Sequence, residues 1–220
     1  MSKIKTLLSS RAQEEIREAV QEAEKRTSSE VIPLCLPCSS EYQDALWKGA
    51  ALGAIIAPTI LYLLIHWSSS WIANDLWWLI TGFVGSVSGA SMVLFIPPLK
   101  RVLVGTSRME KEVQKCAKQA FLEHEVFATK GRTGILIFLS LFERQTVILA
   151  DSGIHKHVPQ NEWDNVVHGM VDRIQHQEPG TAIREAIQKC ADLLVKYSMN
   201  PSPTDQNELK DELRIGESGS

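Results

Sequence analysis

Cysteine is scarce in this chain, four in 220 residues, far below the density of a disulfide-stapled secreted domain. A long basic run is also missing, and the formal net charge is −3. Nothing electrostatic therefore points to nucleic acid as a partner. The sequence holds no P-loop, no dinucleotide-binding glycine fingerprint, no His-Glu-x-x-His and no Gly-x-Ser-x-Gly, so none of the common catalytic signatures applies. Met1 to Thr27 is polar and lacks the apolar core and small-residue cleavage site of a secretory signal. The most informative absence is local. No formally charged residue occurs from Gly49 to Ile65 or from Leu76 to Leu99.

Those two segments are long enough, the first only just, to cross a hydrocarbon layer as helices. A soluble domain of this size could not bury two helices that are apolar all round, so a membrane hairpin is expected over residues 47–100. Pro58 should kink the first helix, which a bilayer tolerates if neighbours satisfy the freed carbonyl. Gly49, Gly53, Ala57, Gly82, Gly85 and Gly89 recur at intervals of three or four, the spacing that lets helix backbones approach closely. Tyr62, Trp67, Trp71, Trp77 and Trp78 gather around the connecting loop and mark one interface. The loop from His66 to Asp75 has no Lys or Arg, whereas Lys48, Lys100, Arg101 and Arg108 flank the other ends. The positive-inside rule then puts both termini in the cytoplasm. With no cleavable signal, the hairpin itself is expected to direct insertion.

On either side lie the pieces of one α/β domain. Ser10 can cap a helix with Gln13 three residues on, and Ile16, Ala19, Val20 and Ala23 form its apolar stripe. Val31 to Leu36 reads as a strand, with Pro33 arguing for an edge or a bulge. After the hairpin, Ser107 opens a second helix bearing Val113, Cys116, Ala117, Ala120 and Phe121. Thr133 to Ser140 is a nearly continuous apolar run, as in a strand covered on both faces. With Thr146 to Ala150 it makes a β-hairpin around Glu143 and Arg144. Two helices follow, about Asn161–Gln175 and Thr181–Met199. The divisions are therefore 1–46 (first helix and strand), 47–100 (hairpin), 101–199 (the rest of the domain) and 200–220 (a polar, flexible tail).

The stretch Ala120 to His124, the run Thr129 to Ser140, Glu143-Arg144, and Val147 to Ile154 resemble the TPM domain family. Val158 to Trp163 and Asn207 to Ile215 resemble its bacterial subgroup with an inserted transmembrane pair. The resemblance implies an α/β/α sandwich with a mixed sheet, and residence in the bacterial inner membrane as a multi-pass protein. It also implies one of two roles. Some relatives act as assembly factors for membrane complexes; a plant-type member is an acid phosphatase with a metal held by clustered carboxylates at strand ends. Here only Asp151 stands at a matching strand end.

Asp151, His155 and His157 lie close enough in sequence to form a metal-binding corner, with His124 as a further candidate; the plainer reading is solvated loop histidines. Cys35-Leu-Pro-Cys38 has dithiol spacing, but Cys35 falls inside a strand, away from the helix N-terminus that would lower its pKa. A zinc site would also have to draw on Cys116 and Cys190. All four read as small buried thiols. Glu143 and Arg144 read as ordinary turn charge. The leading expectation is a cytoplasmic TPM-like interaction or assembly module on a two-helix anchor, its partners the bilayer and another membrane protein. The alternative is a hydrolase that uses a divalent metal at Asp151.

Overall fold

A computed structural model describes residues 9–68, 75–176, 178–197 and 212–216. Its contacts divide the chain into two units, Met1–Ser40 with Glu110–Ser220, and Glu41–Met109.

The first unit is an α/β/α sandwich. Helix α1 (Ser10–Arg26) leads into strand β1 (Glu30–Leu36). Helix α5 (Thr106–Glu123) precedes β2 (Gly134–Ser140) and β3 (Gln145–Ala150). A single helical turn α6 (Ser152–His155), α7 (Gln160–Gln175), α8 (Pro179–Lys196) and a two-residue strand β4 (Arg214–Ile215) complete it. The strand order is β3-β2-β1-β4. β1 runs parallel to β2 and to β4, and β2 antiparallel to β3.

Alternate residues of the strands feed two cores, as a period of two requires. Val31, Cys35, Ile135, Ile137 and Leu139 pack against α1, α7 and α8. Ile32, Leu34, Leu36, Leu136 and Phe138 pack under Val113, Ala117 and Ala120 of α5. With both faces covered, β1 and β2 are buried at all seven positions each, which is why their sequences read as unbroken apolar runs.

The cap of α1 lies one residue earlier than expected. Ser9, not Ser10, takes the capping geometry, its Oγ accepting from the Ala12 N–H at 3.3 Å. Either serine satisfies the same preference, so pattern alone does not separate them. In the tail, Arg214–Ile215 pairs with Leu34 and Cys35. Leu213 and Ile215 drive this, being partly buried against the first core.

The second unit is helical: α2 (Gln43–Ser68), α3 (Asp75–Phe95) and α4 (Pro97–Val104), then the start of α5. Helix α2 continues through Pro58. The second apolar segment does not reach Leu99 as one helix. It breaks at Ile96, and α4 restarts with Pro97 at its first position, where a proline's missing N–H has no partner to lose. Both α2 and α3 are long and apolar enough to cross a membrane, and only 6% and 11% of their most apolar windows are buried. The buried minority is where they touch each other. A Cβ on Gly53 would lie 2.0 Å from the Gly85 carbonyl oxygen, and one on Gly89 would lie 2.2 Å from that of Gly49. Gly82 is not part of this seam; its nearest neighbour would be 3.9 Å away.

Basic side chains close one end of this unit. Lys48 Nζ donates to the Leu103 carbonyl at 2.9 Å, and Arg108 pairs with Asp44 at 2.5 Å. Lys100 Nζ donates to the Glu41 carbonyl at 2.7 Å and lies 5.9 Å from the Tyr42 ring centre. Further along α2, Tyr62 meets His66 and Trp78 at ring separations of 6.1 and 6.3 Å. Trp71 falls outside the described residues.

The seam makes a direct prediction. Gly53→Leu or Gly85→Leu forces the helices apart and costs about 1–3 kcal/mol or more through overpacking, whereas Gly82→Ala is tolerated. Thermal denaturation in detergent followed by tryptophan fluorescence separates the three; equal midpoints would contradict the packing.

Candidate functional site

Two polar nodes sit at opposite ends of the β1–β2 pair. The first is built around Asp151, just past β3. Its backbone N–H donates to the Gly134 carbonyl at 2.9 Å, and Gly134 pairs across the sheet with Glu30. Glu30 and Asp151 thus flank a glycine, and both are buried. Asp151 also caps α6, its Oδ1 accepting from the Ser152 N–H at 2.6 Å. Its Oδ2 lies 3.0 Å from Nε of Arg132. Gly153 packs so tightly on the preceding loop that a Cβ would fall 2.5 Å from the Gly131 carbonyl oxygen. Loop and strand end are therefore fixed against each other.

His155 and His157 are exposed. His157 Nδ1 lies 2.9 Å from the Gly153 carbonyl oxygen, a contact that requires the proton on Nδ1. Among the described residues no three His, Cys, Asp or Glu side chains are arranged to hold a metal ion. Asp151 is engaged by Arg132 and by its capping bond, and is not gathered with His155 and His157 as ligands. His124 lies apart at the end of α5; burial, and then the charge of Arg214, hold its pKa below the usual value.

The second node is built on Glu143, which is a buried brace and not the ordinary turn charge its sequence position suggests. Glu143 is 5% exposed. Its Oε1 accepts from the Ser39 N–H at 2.9 Å and lies 3.5 Å from Cys38 Sγ, while Oε2 accepts from the Ser140 hydroxyl. Cys38 Sγ also donates to the Ser40 carbonyl at 2.8 Å. The carboxylate thereby ties the turn after β2 to the chain leaving β1. This is the carboxyl end of the parallel pair, where open α/β sheets hold their ligands. Arg144 beside it takes φ 55°, which turns the chain so that Glu143 points inward. Sequence offered one faint signal, the Ser140-x-x-Glu143 spacing.

The cysteines are all free. Burial pushes the thiols of Cys35 and Cys190 up to about 12. Cys116 is raised by burial and by the charge of Glu143. Thiols so far from ionising are poor nucleophiles and poor redox centres.

The fold and its polar nodes define an α/β/α sandwich with an apolar helical insertion between its first two strands. Residues 99–193 match the family model described as the TPM domain, labelled TPM phosphatase, so this stretch of the chain carries a TPM domain. It is similar to the BA42 protein of the psychrophilic bacterium Bizionia argentinensis, solved by NMR, with 19% identity and a TM-score of 0.60 over 98% of this chain and 100% of that one. At that identity the likeness speaks to the fold alone. No match is found among curated proteins.

Replacing Glu143 by Ala strips acceptors from the buried Ser39 N–H and Ser140 hydroxyl, at about 1–3 kcal/mol for each group left unsatisfied. Denaturant unfolding in detergent should show that loss, against a change within about 0.5 kcal/mol for the exposed Lys118→Ala. Equal midpoints for the two variants would mean that the node does not hold the turn.

Proposed function

We propose that this protein is an integral membrane protein of the bacterial inner membrane. In this reading α2 and α3 cross the bilayer, both termini lie in the cytoplasm, and the TPM domain serves as an interaction or assembly module at the membrane surface. One observation carries the reading: two helices, uncharged over Gly49–Ile65 and from Leu76 on, pack on each other through glycine and expose almost all their remaining apolar surface. In water such a surface is an aggregation hazard; in lipid it is the solvated face. The dimensions agree. From Lys48 to Trp67 a helix rises about 28 Å at 1.5 Å per residue, close to the hydrocarbon thickness of about 30 Å. Basic side chains sit at one end of that span with Trp47 beside them, and Tyr62, Trp67, Trp77 and Trp78 gather at the other, in keeping with the charge rule and with aromatic belts at both interfaces.

Orientation is tested with single cysteines and a membrane-impermeant maleimide on intact cells with a permeable outer membrane. Ser69→Cys should label above the wild-type background. Arg144→Cys, in the exposed part of the β2–β3 turn, should label only after the inner membrane is opened. Labelling of Arg144→Cys in intact cells would reverse the topology.

A second reading is favoured by the buried Glu30 and Asp151 on either side of Gly134 with Arg132 alongside, a set suited to holding a cation and a phosphoryl group. With the purified full chain, divalent metals and a phosphomonoester, the assembly reading expects no turnover above Asp151→Ala. Turnover abolished by that substitution would select the hydrolase.

A further inference from the structure

Many cations on the surface of the first unit are paired with carboxylates. Arg11 and Arg17 pair along α1, Arg26 reaches Asp192, Arg173 meets Glu185 and Lys196 meets Glu162. Helix α5 departs from this pattern. Lys111, Lys115 and Lys118 are exposed, and among the described residues none of the three makes an ion pair or a side-chain hydrogen bond. Their spacing of four and then three puts them on one helical face. The opposite face carries Val113, Ala117 and Ala120 into the second core. With Gln114 and a single carboxylate, Glu110, the three lysines line an open depression of about 460 Å³. Lysine stems are apolar and their heads are charged, so such a face is apolar at its floor and cationic at its rim.

Two features favour a bilayer over a dissolved anion as the occupant. Leu122, four positions after Lys118, continues the same face and is 63% exposed. A dissolved phosphate gains nothing from it, whereas a leucine between lipid headgroups buries apolar surface. The stripe also extends a cationic segment. From Lys100 to Lys118 the chain holds six Lys or Arg against two Glu, in a protein of net charge −3. A cluster of that size beside a spanning helix is complementary to the anionic lipids of the cytoplasmic leaflet. The chain from Phe95 to Lys111 is helical at all but two positions, a tether of about 30 Å at most. A tether that short keeps the stripe at high effective concentration beside the surface.

We propose that this face of α5 docks on anionic lipid headgroups, with Lys111, Lys115 and Lys118 against lipid phosphates and Leu122 entering between them. The inference rests on the membrane reading given above and adds to it a lipid preference and the surface that carries it. Each lysine brought to an anionic surface strengthens docking about fivefold, and the three together about a hundredfold.

The unaltered full chain tests this in nanodiscs of phosphatidylcholine alone and in nanodiscs that also contain phosphatidylglycerol. A brief pulse of a water-soluble acetylating ester, read by mass spectrometry, gives a rate for each lysine. In the anionic discs Lys111, Lys115 and Lys118 should react at least about fivefold more slowly than in the neutral ones. Lys25, exposed on α1, should keep one rate in both. Salt at about 1 M, where the screening length falls to about 3 Å, should restore the three rates. Rates that follow Lys25 in both discs would overturn the docking and leave a solvated face. Equally slow rates in both discs would overturn it in favour of a protein surface. Slowing in neutral discs on addition of inorganic phosphate would assign the face to a dissolved anion instead. Quenching of tryptophan fluorescence by lipids brominated along the acyl chain, in the same discs, separates the two readings. Quenching without lysine protection overturns the docking alone; absence of quenching overturns the membrane reading and the docking with it.

Discussion

Parallel pairing of β1 with β2 over seven residues is the contact on which the rest of the first unit depends. Parallel strands cannot be joined by a tight turn, so a crossover must carry the chain back. In this protein the crossover ends with α5, which covers one face of the sheet, and it also contains the whole apolar helix pair. The sheet closes only when segments from before and after the insertion meet. Long-range pairing of this kind pays loop-closure entropy before its contacts repay it. The helix pair limits that cost by bringing its own ends together, because close glycine packing makes the insertion a compact hairpin rather than a long free loop.

Glu143 acts on the same constraint from within the first unit. The chain must leave β1 at its carboxyl end with a defined path, and a buried carboxylate fixes that path by binding the Ser39 N–H and the Ser140 hydroxyl at once. A single group that satisfies donors on two segments holds them in register, and its removal strands both donors. At the other end of the strands, Asp151 does comparable work for the turn after β3, tying it to Gly134 and Arg132. The sheet is thus braced at both ends by acids, each committed to protein partners.

Much of this was legible in the sequence. Apolar runs without charge gave β1, β2 and the helix pair, and the recurring glycines marked the seam, though Gly82 shares their spacing and lies off it. The TPM texture named the domain. What was not legible depended on neighbours distant in sequence. Glu143 looks like turn charge because its partners Ser39 and Cys38 lie on the far side of the insertion. β4 is two residues long, too short for any periodicity, and only the apolar seats for Leu213 and Ile215 define it. Asp151, His155 and His157 lie within seven positions of one another, and the helical turn even bonds the His155 N–H to the Asp151 carbonyl, yet both imidazoles are exposed while Arg132 engages the buried carboxylate. Proximity along the chain does not gather ligands when a capping bond has already claimed one of them.

The central claim is that one α/β sheet closes across the apolar helical insertion, which in the proposed reading lies in lipid. Hydrogen exchange by mass spectrometry on the full chain in bilayer nanodiscs tests it most directly. The account predicts that amides of β1 and β2 exchange together as one slow cooperative unit, and that the α2 and α3 segments are protected while the bilayer is intact. Rapid exchange of β1 while β2 stays protected, or exchange of both helices at the rate of exposed coil, would contradict it.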